Sequence, residues 1–297
     1  SPARAVAWDV LCAVRAGALV DRAFAERSAH LGPEDRRLAR ELVYGVLRLR
    51  GRWDRLLARR VEGGLERLEP EVLDALRLGV HQLLELDRVP AYAAVDESVE
   101  IARAAAGPGA AGLVNAVLRR IAREGVRIAD EFPDAGADPV GYLSTWGSHP
   151  RPLVERWVAR WGPERAAALV EANNRVPPVA LTPLGLSRDE ALRRLAEAGI
   201  SARAAPPASE SVEIEPADLE RALACVPAVV QDPAAALVVE YADLPADACV
   251  ADLCAAPGGK ALRLAVSCRR VVACDASRAR LARLVENARR AGVARLP

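Results

Sequence analysis

Apolar positions in the first 125 residues recur three and four apart. In the stretch 33–51, Leu38, Leu42, Val43, Val46 and Leu49 fall on one helical face, with Pro33 in a first turn and Gly51 as the stop. The stretch 70–86 repeats the device from Pro70, with Val72, Leu73, Leu76, Val80, Leu83 and Leu84. Two more helices are predicted through VDESVEIARAAAG and GLVNAVLRRIAREG, the second ending at Gly125. Helices so apolar on one face must pack on one another, so residues 1–127 are expected as an all-α domain. A stretch rich in Pro, Gly and Asp then predicts a linker over 128–150.

Beyond residue 150 the period changes. Two short helices, PLVERWVARWG and PERAAALVEANN, precede an extended run, VPPVALTPLG. The next helix opens with a capping box from Ser187 to Glu190 and stops at Gly199. This alternation predicts a small α+β connector over 151–230. A helix capped by Asp232, with Pro233 at its first position, leads into the last segment, 231–297. There ACVADLCAAPGGK predicts a buried parallel strand, a turn at Pro257, Gly258 and Gly259, and a helix through Leu262 and Leu264. RRVVACDAS predicts a second strand ending in Asp275, seventeen residues beyond Gly258. An amphipathic helix with Leu281, Leu284 and Val285 follows.

A strand–turn–helix of this kind exposes backbone N–H groups at a helix N-terminus, and glycines without a Cβ let a nucleotide-like ligand approach the main chain. Asp275 stands near the position where dinucleotide folds place an acceptor for ribose hydroxyls. The segment therefore reads as the start of an α/β Rossmann-like domain with a nucleoside site. Its ligand is not a transferred phosphate: a phosphate-binding loop needs glycine where Cys254 stands and Ser or Thr where Ala261 follows Lys260. The G-x-G-x-x-G fingerprint of hydride-transfer enzymes is also absent.

Charge adds one candidate. The formal net charge of +1 conceals a basic stretch, residues 36–60, with nine arginines against Glu41 and Asp54. Arg48, Arg50, Arg52 and Arg55 are candidate phosphate contacts, with Trp53 or Tyr44 to stack on an unpaired base. The alternative is surface decoration in a chain that hardly uses lysine, Lys260 being the only one. Six cysteines form no C-x-x-C pair, and His30, His81 and His149 are scattered, so reduced thiols and no metal are expected. Arg4, Asp9 and Arg15 interrupt any signal-like run, and no membrane-spanning stretch is read, so a cytoplasmic location is expected.

The segment DLCAAPGGK, preceded by VQDPAA and followed by CDAS, resembles the S-adenosylmethionine-binding start of bacterial ribosomal RNA cytosine-5 methyltransferases of the RsmB/Sun type. RLARELVYGVLRLRGRWDRLL and AAVDESVEIARAAAGPGAAGLVNAVLRRIARE are similar to the NusB-like helical domain that opens those proteins. EANNRVPPVALTPL resembles the small domain between. The resemblance implies a multidomain protein: an all-α NusB-like RNA-binding domain, a small α+β connector and the beginning of a Rossmann-like methyltransferase domain. It implies S-adenosyl-L-methionine as cofactor, held by Cys254, Ala255, Ala256, Pro257, Gly258, Gly259, Lys260 and Asp275. The implied partner is small-subunit ribosomal RNA, methylated at carbon 5 of a cytosine, with the protein expected as a monomer.

The chain departs from the family pattern at the nucleophile. Cytosine-5 transfer in the family uses a cysteine thiolate that attacks the base and a second cysteine that assists breakdown of the adduct. No D-A-P-C-like or T-C-S-like segment occurs in the 297 residues. Cys254 lies inside the cofactor turn and reads as a small apolar residue, and Cys268 and Cys274 flank the second strand as core residues. The expectation is that no catalytic residue is present and that these residues alone are inactive. The competing reading is a non-catalytic RNA- or protein-binding module of the NusB-like type, which has no reason to carry DLCAAPGGK.

Overall fold

The computed structural model describes residues 1–208 and 210–293, so the final four residues of the expected cofactor segment lie outside the described ones. The chain divides into two compact units, Ser1–Arg175 and Val176–Pro297.

The first unit is helical. α1 (Pro2–Arg15), α2 (Val20–Arg27), α3 (Pro33–Arg48), α4 (Arg50–Ala58), α5 (Pro70–Glu85) and α6 (Ala91–Glu124) bury the apolar faces that the sequence period marks. Leu42, Leu56, Leu57, Leu76 and Leu118 are fully buried, each worth about 1.5–3 kcal/mol of transfer free energy. Gly51 does not stop α3. It lies in the first turn of α4, where its N–H donates to Ser148 Oγ at 2.8 Å and a Cβ would crowd the Ser148 backbone. By length and composition α6 is apolar enough to cross a membrane. Gly107, at φ 83°, and Pro108 break it into two arms, whose residues Ala102, Val114, Leu118 and Ile121 enter the helical core.

The stretch expected as a linker instead carries structure. α7 (Ile128–Glu131) is fastened to α4: Glu131 pairs with Arg59 and Arg60, and its carbonyl accepts from Arg55 Nε at 3.0 Å. Phe132 is buried in the helical core. α8 (Pro139–Thr145) starts at Pro139 under an Asp138 cap and packs with α9 (Arg151–Trp161) and α10 (Pro163–Asn174) around Leu143, Val154, Ala166 and Val170. This compact unit ends after Arg175. Proline and glycine act here as a helix start and as close-packing positions, uses that composition does not separate from a linker.

The second unit opens with a four-stranded antiparallel sheet of order β2-β3-β1-β4, formed by β1 (Val179–Pro183), β2 (Ala202–Ala204), β3 (Val212–Ile214) and β4 (Ala228–Val230). α11 (Arg188–Glu197) and α12 (Leu219–Cys225) cover one face through Leu181, Leu195, Val212 and Ala222. The predicted box at Ser187 forms as a cap, accepting from Glu190 N–H at 3.3 Å. α13 (Pro233–Ala242), capped by Asp232, then leads to a parallel pair, β5 (Cys249–Asp252) and β6 (Arg270–Ala273), connected by α14 (Gly259–Ser267) and followed by α15 (Arg278–Arg290). Leu184, just past β1, and Val229 of β4 share a buried cluster with Leu262 and Ala288 of α14 and α15.

Candidate cofactor-binding turn

β5 and β6 pair in register Val250↔Val271 and Asp252↔Ala273, which brings the ends of both strands to one edge. The ladder continues past the strands: Cys274 N–H donates to Asp252 O, and Ala255 N–H to Cys274 O, both at 2.8 Å. Residues 254–260 and 275, separated in sequence, therefore meet because the two strands are parallel neighbours.

Asp275 holds this junction. One carboxylate oxygen accepts from Ser277 N–H at 2.9 Å and from the Arg280 guanidinium at 3.0 Å; the other accepts from Ala256 N–H at 3.2 Å. Only 3% of its side chain is exposed. The Ser277 amide, followed by Ala256 N–H and Arg280, holds its carboxyl below the usual carboxylate range against the opposing effect of burial. In this arrangement Asp275 fastens the first turn to the second.

The glycines have separate reasons. Gly258 caps α14 at φ 116°, and a Cβ there would sit 3.1 Å from Leu262 Cδ1 and 3.3 Å from Leu284 Cγ. A Cβ on Gly259 would meet Gln231 Nε2 at 3.1 Å. Asn287 of α15 donates to Pro257 O at 3.0 Å and closes the turn from the other side. Lys260 is exposed on the first turn of α14, as is Cys254 before it. Asp252 Oδ1 accepts from Cys254 N–H at 3.1 Å, while its Oδ2 is buried with no partner among the described residues. Sequence reasoning missed Asp252, Gln231, Arg280 and Asn287. The strand-end position of Asp252 was readable; the other three reach the turn through tertiary packing.

The arginine stretch comes out differently. Arg52 places its guanidinium 3.7 Å from the centroid of the Trp146 ring, donates to Trp146 O at 2.8 Å and pairs with Glu85 at 3.1 Å. Arg55 is held by Glu131 O, Arg48 is half-buried, and Arg50 is exposed with Asp54 at 3.8 Å. Trp53 is 1% exposed, so its ring is not free to stack on a base, and the hydroxyl of half-buried Tyr44 donates to Asp21.

Residues 1–123 match the NusB family, and residues 149–218 match the Methyltr_RsmF/B-like, ferredoxin-like domain. The chain is 34% identical over 248 residues to the probable ribosomal RNA small subunit methyltransferase B of Bacillus subtilis (strain 168), covering 80% of the chain and 53% of that protein. To ribosomal RNA small subunit methyltransferase B of Pseudomonas putida it is 36% identical over 261 residues, covering 85% and 58%. To the Vibrio vulnificus protein of that name it is 33% identical over 299 residues, covering 97% and 67%. The chain thus spans from about half to two thirds of the length of these relatives. The solved structure of PH0851 shares the fold, with a TM-score of 0.73 at 19% identity, covering 100% of this chain and 68% of that one. A NusB-family helical domain followed by a ferredoxin-like domain and a glycine-rich strand–turn–helix defines a class, the NusB-containing relatives of the RsmF/B-like proteins. Within it, the chain belongs to the ribosomal RNA small subunit methyltransferase B family.

Proposed function

We propose that this chain supplies the RNA-holding and cofactor-gripping parts of an S-adenosylmethionine-dependent methyltransferase acting on carbon 5 of a cytosine in small-subunit ribosomal RNA. Its parts on this reading are a NusB-like domain over 1–127, a joining stretch over 128–150, a connector over 151–230 and a cofactor segment from 231. Family membership supports the reaction class. The observation that carries the cofactor is the turn itself: α14 opens from a glycine cap with no side-chain cap, and at the end of the preceding strand a carboxylate oxygen of Asp252 is buried with no partner among the described residues.

That donor–acceptor pair suits the carboxylate and ammonium of a methionine moiety. S-adenosylmethionine, when bound, supplies the methyl group. On this reading Cys254 to Lys260 form the backbone cradle and Asp252 accepts from the ligand's ammonium. Asp275 orients the cradle through Ala256 and Ser277, with any ribose contact made from the same carboxylate. Cys268 is buried as expected, whereas Cys254 and Cys274, read from the sequence as apolar packing residues, are exposed; Cys254 lies within the cradle itself, and none of the three is assigned the attack on the base. The nucleophile is proposed to lie outside these residues.

Saturation-transfer NMR with millimolar S-adenosylhomocysteine tests the reading without needing turnover. Transfer to the ligand is expected for the wild type and loss of it for Asp252→Asn and Asp275→Asn. Equal transfer in all three would remove the turn as the cofactor site.

A further inference from the structure

The two arms of α6 line an open groove on the surface of the helical unit. At its outer end Tyr92, Asp96, Arg119 and Arg123 surround a cavity of about 480 Å³ floored by Val95 and Ala122. Asp96 and Arg119 also line an adjoining cavity of about 540 Å³ that reaches Pro108, so the groove is continuous. Tyr92 is 72% exposed, an aromatic face presented to solvent. Arg119 donates to the neutral amide oxygen of Asn115 at 2.7 Å, and Arg123, 76% exposed, stands 3.5 Å from Glu124. These cations contrast with Arg52 and Arg55, whose donors are occupied internally.

We propose that this groove takes single-stranded RNA, with a base stacked on Tyr92, its flanking phosphates on Arg119 and Arg123, and a base N–H donated to Asp96. The proposal rests on the reading of the chain as RNA-acting. An open aromatic face beside two arginines answers the two chemistries of an unpaired nucleotide, a π-face and a phosphate.

The test is fluorescence anisotropy of a fluorescein-labelled decacytidylate titrated with the 297-residue chain across a salt series. Tyr92→Ala is expected to weaken binding by about fivefold or more at every salt concentration, and Tyr92→Phe to retain it. Arg119→Glu combined with Arg123→Glu is expected to flatten the slope of log affinity against log salt by about 1.4, two phosphate contacts at about 0.7 each. All three positions are exposed, so melting temperatures should not move; the milder Arg119→Gln with Arg123→Gln pair should act in the same direction. Wild-type affinity and slope in the Tyr92→Ala and charge-reversed proteins, with RNA still bound, would overturn the groove and leave the RNA reading standing. That result is also what a groove for a protein partner would give. Absence of oligonucleotide binding by the wild type would overturn both.

Discussion

Two stretches of this chain look equally functional on paper: the arginines around residue 50 and the glycine turn around residue 258. In the folded protein the first turns much of its charge inward. Arg52 lies over Trp146, Arg55 reaches the Glu131 carbonyl, and Arg60 pairs with Glu131. The second gathers residues from two strands and two helices around a pair of carboxylates. An excess of one residue type describes a surface in bulk, and each guanidinium is then free to find a local partner. A turn between parallel strands constrains position, because pairing forces its neighbours to one edge.

The largest test of this contrast uses pH. His81, 2% exposed, lies edge-on to Trp53, and burial together with the charges of Arg48 and Arg52 lowers its pKa from 6.5 to about 4. The unfolded chain protonates this ring near 6.5 and the folded chain resists to about 4, so stability is complete above 6.5 and falls as pH drops towards 4. The loss should reach about 3 kcal/mol, measured as urea midpoints at pH 7 and 4, and His81→Gln should remove most of the slope. An identical slope in the variant would mean that this buried ring does not account for the loss of stability in acid.

Next in size is Arg52→Ala. With 11% of its side chain exposed, it should cost about 2–3 kcal/mol through lost contacts to Trp146 and Glu85, whereas exposed Arg50→Ala should stay within about 0.5 kcal/mol. Equal, small losses in both would return Arg52 to the list of free RNA contacts.

Smallest is Gly258→Ala, expected to cost about 1–2 kcal/mol locally, since φ 116° and the 3.1 Å approach to Leu262 both oppose a Cβ. Hydrogen exchange should show faster amides at residues 254–262 with α5 and α6 unchanged; unaltered exchange would mean that the turn relaxes at no cost.

The helices of the first unit were legible because an apolar stripe such as Leu76, Val80 and Leu83 can be satisfied only by a helix on a core. Three-residue strands such as Ala202–Ala204 were not, because their pairing with Val212–Ile214 is a property of distant chain. The stretch 128–150 shows the same limit: Pro139 and Gly147 read as breakers, although one starts a helix and the other packs against Val170. At the turn, motif and spacing marked residues 254–260 and 275. The triple engagement of Asp275 stayed hidden, since Ala256 meets it only once the two strands pair and Arg280 only once the first turn of α15 forms.

Lys260 also decides how the turn can be watched. It is the sole lysine among these 297 residues and exposed on the first turn of α14, so among their side chains amine-directed chemistry reaches only this one. A dimethylated Lys260 would give a single side-chain NMR probe at the edge of the cradle. The chain therefore carries its own spectroscopic reporter where ligand capture is expected, with no residue replaced to install it.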